Sequence, residues 1–201
     1  DVDHGTYPFV TSSSSVAGGV CTGVGIGPTK IDRVVGITKA YTTRVGAGPF
    51  PTELHGEPGE ALRQAGQEFG ATTGRPRRCG WLDLPALRHA VRVSGIDALA
   101  MTKLDVLSGP EPVKVCVAYE VRGERTEELP LDEIDVATPI LEELPGWTET
   151  LDDCKSVESL PAATRRYIER VETAIDCPVR LLSVGPDRDQ TIALDNPFDE
   201  V

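Results

Sequence analysis

Apolar residues follow two spacings along this chain of 201 residues, and the two spacings alternate. Ile96 to Met101 and Val179 to Val184 are short, nearly continuous apolar runs, the pattern of strands buried on both faces of a parallel sheet. A helical stripe precedes each of them. Ala86, Leu87, Ala90 and Val91 share one face before the first run, and Tyr167, Ile168, Val171, Ala174 and Ile175 share one before the second. Asp83 reads as the cap of the first helix, with Pro85 in its opening turn, Val93 near its end and Gly95 as its stop; Pro161 opens the second helix, which runs to about Ile175. Val113, Val115, Val117, Tyr119 and Val121 alternate with polar or small residues ahead of Gly123, which predicts that Val113 to Arg122 begins an antiparallel hairpin.

The earlier part of the chain is punctuated more heavily. Pro28 predicts a short helix to Val35 that Gly36 ends, Ile37 to Thr43 reads as a strand, Gly46 to Pro51 as a breaker cluster, and Pro58 to Phe69 as a helix closed by Gly70. Asp132 to Val157 is acidic and broken by proline, and is expected at the surface with Trp147 packed beneath it. Strand and helix alternate throughout, with neither an internal repeat nor an interdomain linker. The expected class is α/β with a mostly parallel sheet flanked by helices and a small antiparallel hairpin. Residues 1–201 read as one portion of a single domain, with 113–157 a candidate small lobe on the sheet.

Composition narrows the functional classes. At 39% hydrophobic and 26% charged residues the chain is expected to be globular. A net charge of −12 argues against a general nucleic-acid surface, which needs a basic face. No apolar run approaches the ~18 residues of a membrane helix, and no signal peptide opens the sequence. The chain starts at Asp1 rather than Met, which fits a cut or incomplete polypeptide. The five cysteines (21, 79, 116, 154 and 177) show no Cys-x-x-Cys spacing, and His4, His55 and His89 stand apart from them. A zinc site or a disulfide framework is therefore not expected, and a reducing cytoplasm is.

Against this acidic background, Ala71-Thr72-Thr73-Gly74-Arg75-Pro76-Arg77-Arg78 stands out, with three arginines in four residues. The hydroxyls and Gly74 favour a turn, and guanidinium forks suit carboxylate or phosphate oxygens. A solvated basic loop balancing acidic neighbours is the plain alternative; the hydroxyls, glycine, proline and Trp81 close by favour an anion-binding loop. A second stretch, Thr102-Lys103-Leu104-Asp105, follows a buried strand, where open α/β sheets bind ligands. It matches the general signature Asn/Thr-Lys-x-Asp, whose carboxylate accepts from guanine N1–H and N2–H₂ while the lysine stem lies along the base and its ammonium stays wet. Alone, an ordinary strand-end turn is as good a reading. Ser183-Val184-Gly185, at a second strand end, lets backbone approach a base and favours guanine. Residues 1–27, rich in Gly, Ser and Thr, can present N–H groups and hydroxyls to a phosphate, but on sequence alone read better as a flexible or closely packed loop.

The run from Gly70 to Asp83 resembles the aspartate-recognition loop of the adenylosuccinate synthetase family, which joins IMP to L-aspartate while GTP is hydrolysed. Residues 3–13, 39–53, 102–107 and 183–188 resemble further stretches of the family in the same order, so the resemblance covers nearly the whole chain. It implies a fold of the nucleoside-triphosphate-hydrolase-like kind, present only as its carboxy-terminal half; the family's Gly-Asp-Glu-Gly-Lys-Gly loop has no counterpart here. It implies that Ala71, Thr72, Thr73, Gly74, Arg75, Pro76 and Arg77 hold aspartate and that Thr11 and Arg75 meet IMP. It also implies that Arg77, Lys103, Leu104, Asp105, Ser183, Val184 and Gly185 meet GTP. The catalytic base and acid and the ligands of Mg2+ are expected in the other half, so no catalytic or metal residue is assigned. The family also implies a homodimer. A guanine-nucleotide binding module without ligase chemistry and a structural remnant that binds nothing are the competing readings.

Overall fold

The two continuous apolar runs become neighbouring strands. In the computed structural model, which describes residues 2–109 and 112–195, β1 (Val35–Lys39), β2 (Thr42–Arg44), α1 (Glu57–Ala65), β3 (Arg78–Gly80), β4 (Leu82–Asp83), α2 (Leu84–Ser94) and β5 (Ala98–Thr102) come first. There follow β6 (Val113–Val121), β7 (Glu124–Thr126), β8 (Thr138–Leu144), α3 (Ala162–Ile175), β9 (Val179–Ser183) and β10 (Thr191–Ala193). The main sheet has the order β1-β5-β9-β10. β5 pairs in parallel with β1 and with β9, and β10 closes antiparallel on β9. A second sheet is built on β6, with β4 parallel to it and β7 and β8 antiparallel, and β2 pairs with β3 as a small antiparallel ribbon. The class is thus α/β with a mostly parallel main sheet and helices beside it.

One face of the main sheet is sealed. Leu99, Met101, Leu182 and Ile192 are buried in a core that also takes Leu62 from α1, Leu84 from α2, and Tyr167, Ile168, Val171 and Ile175 from α3. Tyr167 satisfies its buried hydroxyl by donating to Ala40 O at 2.5 Å, which pins α3 to the end of β1. Cys116, Tyr119, Val121 and Ile134 form a separate cluster around β6.

α2 forms where its punctuation places it. Asp83 Oδ1 accepts the Ala86 amide at 3.0 Å, and Gly95 ends the helix at φ +58°, a left-handed conformation that glycine adopts without steric cost. Trp147 is buried and packs edge-on against Tyr167, as expected for the anchor of an acidic surface stretch.

Four expectations are corrected. Pro28 opens only a short turn, Pro28–Lys30, and Val35 belongs to a strand. Gly36 lies inside β1, not at a helix end: a Cβ there would fall 2.6 Å from Ile96 Cδ1, so the glycine admits the Ile96 side chain. The strand expected over 37–43 is interrupted at the buried pair Ala40–Tyr41 and becomes β1 and β2. α1 stops at Ala65, not Phe69, because Gly66 caps it and Gln67 turns to φ +50°. The acidic stretch 132–157 contains β8, whose charges face partners: Glu143 pairs with Lys114 across the ladder and Glu142 receives Arg170 from α3.

Candidate functional site

The arginine loop is a closed turn standing on a braced base. At its base the Arg77 amide donates to Glu68 O at 2.9 Å, Phe69 bridges Pro76, and the Gly70 amide donates to Arg75 O at 2.8 Å. At the tip Gly74 has φ +64° and donates to Gly70 O at 2.8 Å. Residues 71–76 are exposed.

The three arginines have different tasks. Arg78 grips Glu53 with Nε at 2.9 and 3.0 Å, and its Nη1 donates to Gly46 O and Gly48 O at 3.2 and 2.8 Å. Arg77 Nη1 donates to Glu68 Oε2 at 2.6 Å. Arg75 is exposed and makes no ion pair or side-chain hydrogen bond among the described residues. The plain reading, basic residues balancing acidic neighbours, therefore holds for Arg78 and partly for Arg77, but not for Arg75. A guanidinium held on a closed turn without a protein partner presents its donors outward, as recognition of a carboxylate or phosphate needs.

Glu68 is the part of this loop that sequence reasoning missed. Its side chain is 1% exposed, and its Oε1 accepts from Lys39 Nζ at 2.7 Å and from Tyr41 OH at 2.6 Å. Burial pushes its carboxyl up, but the donors from Lys39, Tyr41 and Arg77 outweigh burial and hold it below the usual glutamate value. Burial, joined by the same carboxylate, raises the Tyr41 phenol far above its ordinary range. The available signal was an acidic residue nine positions before Arg77, which carries no meaning until the turn between them is known.

A second group gathers at the carboxyl ends of the parallel strands. β5 delivers Lys103, Leu104 and Asp105, and β9, its neighbour, delivers Ser183, Val184 and Gly185. Lys103 is left-handed, at φ +66°, and its ammonium donates to Gly66 O at 2.9 Å instead of standing free in water. Leu104 and Val184 are fully buried. Asp105 is half-buried; burial raises its carboxyl above the usual value, against the pull of its own amide, Lys103 and the Val106 amide, while Asp152 pushes the same way as burial. Ser183 Oγ donates to Gly185 O at 2.8 Å. The space that Gly185 leaves open is taken by Gln190, whose Oε1 would lie 2.2 Å from a Cβ there. A base reaching that wall would have to move one flexible side chain.

Thr11 lies apart from these two groups along the chain, in an exposed segment where its hydroxyl shares a hydrogen bond with Ser13 at 2.9 Å. Arg44 fastens that segment to the body: its Nη2 donates to Thr6 Oγ1 at 2.9 Å and Phe9 O at 3.1 Å, and its Nη1 to Pro49 O at 3.0 Å. A groove of about 820 Å³ lies elsewhere, between α1 and the turn after β5, with Leu54, Pro58, Leu62, Trp81, Leu107 and Val113 on its walls. Neither the arginine loop nor Ser183–Gly185 lines it. Among the described residues no three His, Cys, Asp or Glu side chains converge as a metal site, and no helix is long and apolar enough to cross a membrane.

The sequence and the fold lead to the same relatives. The sequence model of the adenylosuccinate synthetase family matches residues 1–192. The adenylosuccinate synthetase of Moorella thermoacetica is 58% identical over 200 residues, which is 98% of this chain and 47% of that protein. A structure of fully ligated adenylosuccinate synthetase from Plasmodium falciparum superposes with a TM-score of 0.93 at 42% identity, covering 97% of this chain and 47% of the other. A cyanophage S-2L succinoaminodeoxyadenylate synthetase, 18% identical with a TM-score of 0.57, shares the fold. The chain spans just under half the length of the two adenylosuccinate synthetases it matches. It belongs to the adenylosuccinate synthetase family.

Proposed function

We propose that this chain supplies the aspartate loop, the guanine site and part of the IMP site for the GTP-dependent ligation of IMP and L-aspartate to adenylosuccinate. In this reading the γ-phosphoryl group of GTP passes to IMP O6 and GDP leaves. The aspartate amine then attacks C6 and inorganic phosphate leaves. Arg75 takes the aspartate carboxylate and reaches IMP together with Thr11. Ala71 to Arg77 form the rest of the aspartate loop, and Arg77 also faces the GTP side. Asp105 accepts the paired donors of guanine, with Lys103 and Leu104 beside it and Ser183 to Gly185 opposite. The observation that carries the reading is the unpaired Arg75 guanidinium on a turn closed by the Gly70–Arg75 and Gly74–Gly70 hydrogen bonds. Holding a substrate against its partner lowers a barrier through orientation alone.

Proton transfer and metal binding are placed outside this chain. Among the described residues no three His, Cys, Asp or Glu side chains converge, and no step is routed through a metal here. The reading includes a cytoplasmic homodimer of the longer enzyme. The test is adenylosuccinate formation from IMP, aspartate and GTP, measured for this chain alone and together with the half of a relative that it does not span. Turnover only in the mixture is expected; turnover by this chain alone, in a preparation checked for host enzyme, would overturn the division of labour. A guanine-nucleotide module without ligase chemistry is the second reading, favoured by the adjacency of the β5 and β9 ends. It expects GTP binding without aspartate or IMP binding in either preparation.

A further inference from the structure

Arg44 is a half-buried cation that the proposed chemistry leaves unused. Its Nε donates to Ala47 O at 3.2 Å and its Nη1 to Pro49 O at 3.0 Å, both in the turn that follows β2. Its Nη2 reaches the other way, to Thr6 Oγ1 at 2.9 Å and Phe9 O at 3.1 Å in the amino-terminal segment. All of these acceptors are uncharged. Across the β2–β3 ribbon its register partner is Arg78, a second guanidinium. Burial first, and then Arg78, pull Arg44 below the ordinary arginine value. A cation bonded only to neutral groups and set opposite a like charge is electrostatically unfavourable. What the side chain supplies in return is geometry: one rigid planar fork with donors for two loops at once.

The turn after β2 is a firm base for this clamp. Arg78 donates to Gly46 O and Gly48 O from the opposite strand. Gly48 has φ +109°, and a Cβ there would fall 2.7 Å from Phe9 Cβ and nearer still to Arg44 Nη2, so the clamp fills the space a side chain would take. On the other side, Thr6 and Phe9 are the two ends of one turn, closed by the Phe9 amide donating to Thr6 O at 2.8 Å. Arg44 holds both ends. His89 meets the same segment earlier, with Nε2 at 3.2 Å from His4 O. Thr11 stands two residues beyond Phe9, a reach of at most about 7 Å of extended chain.

We infer that Arg44 is a positioning residue for IMP: by holding the 6–9 turn it keeps Thr11 in place before the nucleotide arrives. The inference rests on the proposed function for the contact between Thr11 and IMP. Arg44 acts through the segment and touches no reacting atom. When only a fraction of molecules hold the segment in place, the apparent affinity for IMP falls by that fraction. Loss of the clamp is therefore read in IMP and not in aspartate or guanine, whose proposed sites lie on the arginine loop and at the ends of β5 and β9.

The test is Arg44→Lys, with Thr6→Val as a milder second variant, in this chain combined with the half of a relative that it does not span. Lysine keeps the charge, but one ammonium cannot serve both loops. In Arg44→Lys the KM for IMP is expected to rise about 10- to 100-fold, as for a segment in place in roughly 1–10% of molecules. The kcat and the KM values for aspartate and GTP should stay within a few-fold of the parent. Thr6→Val removes one acceptor and should raise the KM for IMP several-fold. In the isolated Arg44→Lys chain the Phe9 amide should exchange at least ~10-fold faster, while amides of β5 and β9 keep the parent's rates. An unmoved KM for IMP, or a rise shared equally by aspartate and GTP, would overturn the inference; the second result would make Arg44 a general brace of the fold. Should Arg44→Lys disturb β5 or β9, Thr6→Val decides in its place. A parent mixture that forms no adenylosuccinate sinks the proposed function and the inference with it, whereas turnover with an unmoved KM for IMP sinks the inference alone.

Discussion

Glu68 Oε2 receives Arg77 Nη1 at 2.6 Å while the backbones of the same two residues meet at 2.9 Å, so one pair is joined twice. The main-chain bond fixes the separation of the two legs of the arginine loop, and the side-chain bond fixes the direction of one guanidinium. Lys39 and Tyr41 complete the shell of the carboxylate. Removing the charge leaves two cations facing an uncharged amide in a largely dry site. Glu68→Gln is expected to cost about 3 kcal/mol of stability, read as a lower urea midpoint at neutral pH.

The pH dependence of that loss has a fixed sign. Because the folded-state pKa of Glu68 is depressed, its stabilisation is complete above the unfolded value of about 4.3 and disappears as pH falls through the folded value. The stability gap between the parent chain and Glu68→Gln should therefore be constant from pH 7 to about 5 and narrow below about 4. A gap independent of pH down to 3 would mean that the ionised carboxylate is not what holds the loop.

Arg75 should matter to substrate and hardly at all to folding. It is exposed and without a side-chain partner among the described residues, so Arg75→Ala is expected to change stability by less than about 0.5 kcal/mol. In the reassembled enzyme the same change should weaken the use of aspartate by about 1.5–3 kcal/mol for each charge-assisted bond lost. Arg75→Lys should rescue this only in part, because an ammonium lacks the planar fork. An unchanged Michaelis constant for aspartate in both variants would reduce the loop to a solvated turn.

Asp105 should decide the choice of nucleoside triphosphate. In the proposed site its carboxylate accepts from guanine N1–H and N2–H₂; xanthine carries a carbonyl in place of that amine. With two bonds of about 1.5–3 kcal/mol at stake, Asp105→Asn should shift the GTP-to-XTP ratio of kcat/KM by about 10² to 10⁴ in the full-length context. Burial has already raised this carboxyl, so GTP use should weaken on acidification at a higher pH than an ordinary aspartate would dictate, and Asp105→Asn should remove that limb. An unchanged ratio would make residues 102–105 an ordinary strand-end turn.

Gly59 tests packing against helix propensity. An exposed helical glycine changed to alanine gains up to about 1 kcal/mol, but here a Cβ would stand 2.0 Å from the backbone oxygen of Leu54. Since that oxygen is not a flexible tip, overpacking should dominate. We expect Gly59→Ala to lose about 2 kcal/mol and to lower Tm by roughly 4–8 °C. A rise in Tm would show that α1 can shift away from Leu54 at little cost.

What could be read from the sequence divides along physical lines. α2 was legible because stripe, cap and stop agreed, and Asp83 and Gly95 do at its ends what their chemistry predicts; α3 was legible from its stripe and from Pro161 ahead of it. β5 and β9 were legible as apolar runs, and Lys103–Asp105 and Ser183–Gly185 followed as their carboxyl ends. Gly36 misled because a glycine that ends a helix and one that admits a neighbour's side chain look alike until Ile96 is placed. β8 was hidden by Glu142 and Glu143, whose partners Arg170 and Lys114 are distant in sequence. The arginines were visible, but their division of labour was not, since it depends on Glu53 and Glu68 arriving from other segments.

Lys103 carries a consequence for how the two ligands affect each other's binding. Its ammonium is fastened to Gly66 O, and two residues beyond Gly66 stands Glu68, which fastens Arg77. The strand-end loop and the arginine loop therefore share one short piece of chain, 66–68, as an anchor. In the proposed enzyme, a nucleotide that stills the first loop offsets part of the entropy that aspartate must otherwise overcome at the second. Thermodynamic reciprocity then fixes the return effect: aspartate tightens the hold on the nucleotide by the same factor, and a mutation that loosens Gly66 weakens both affinities together.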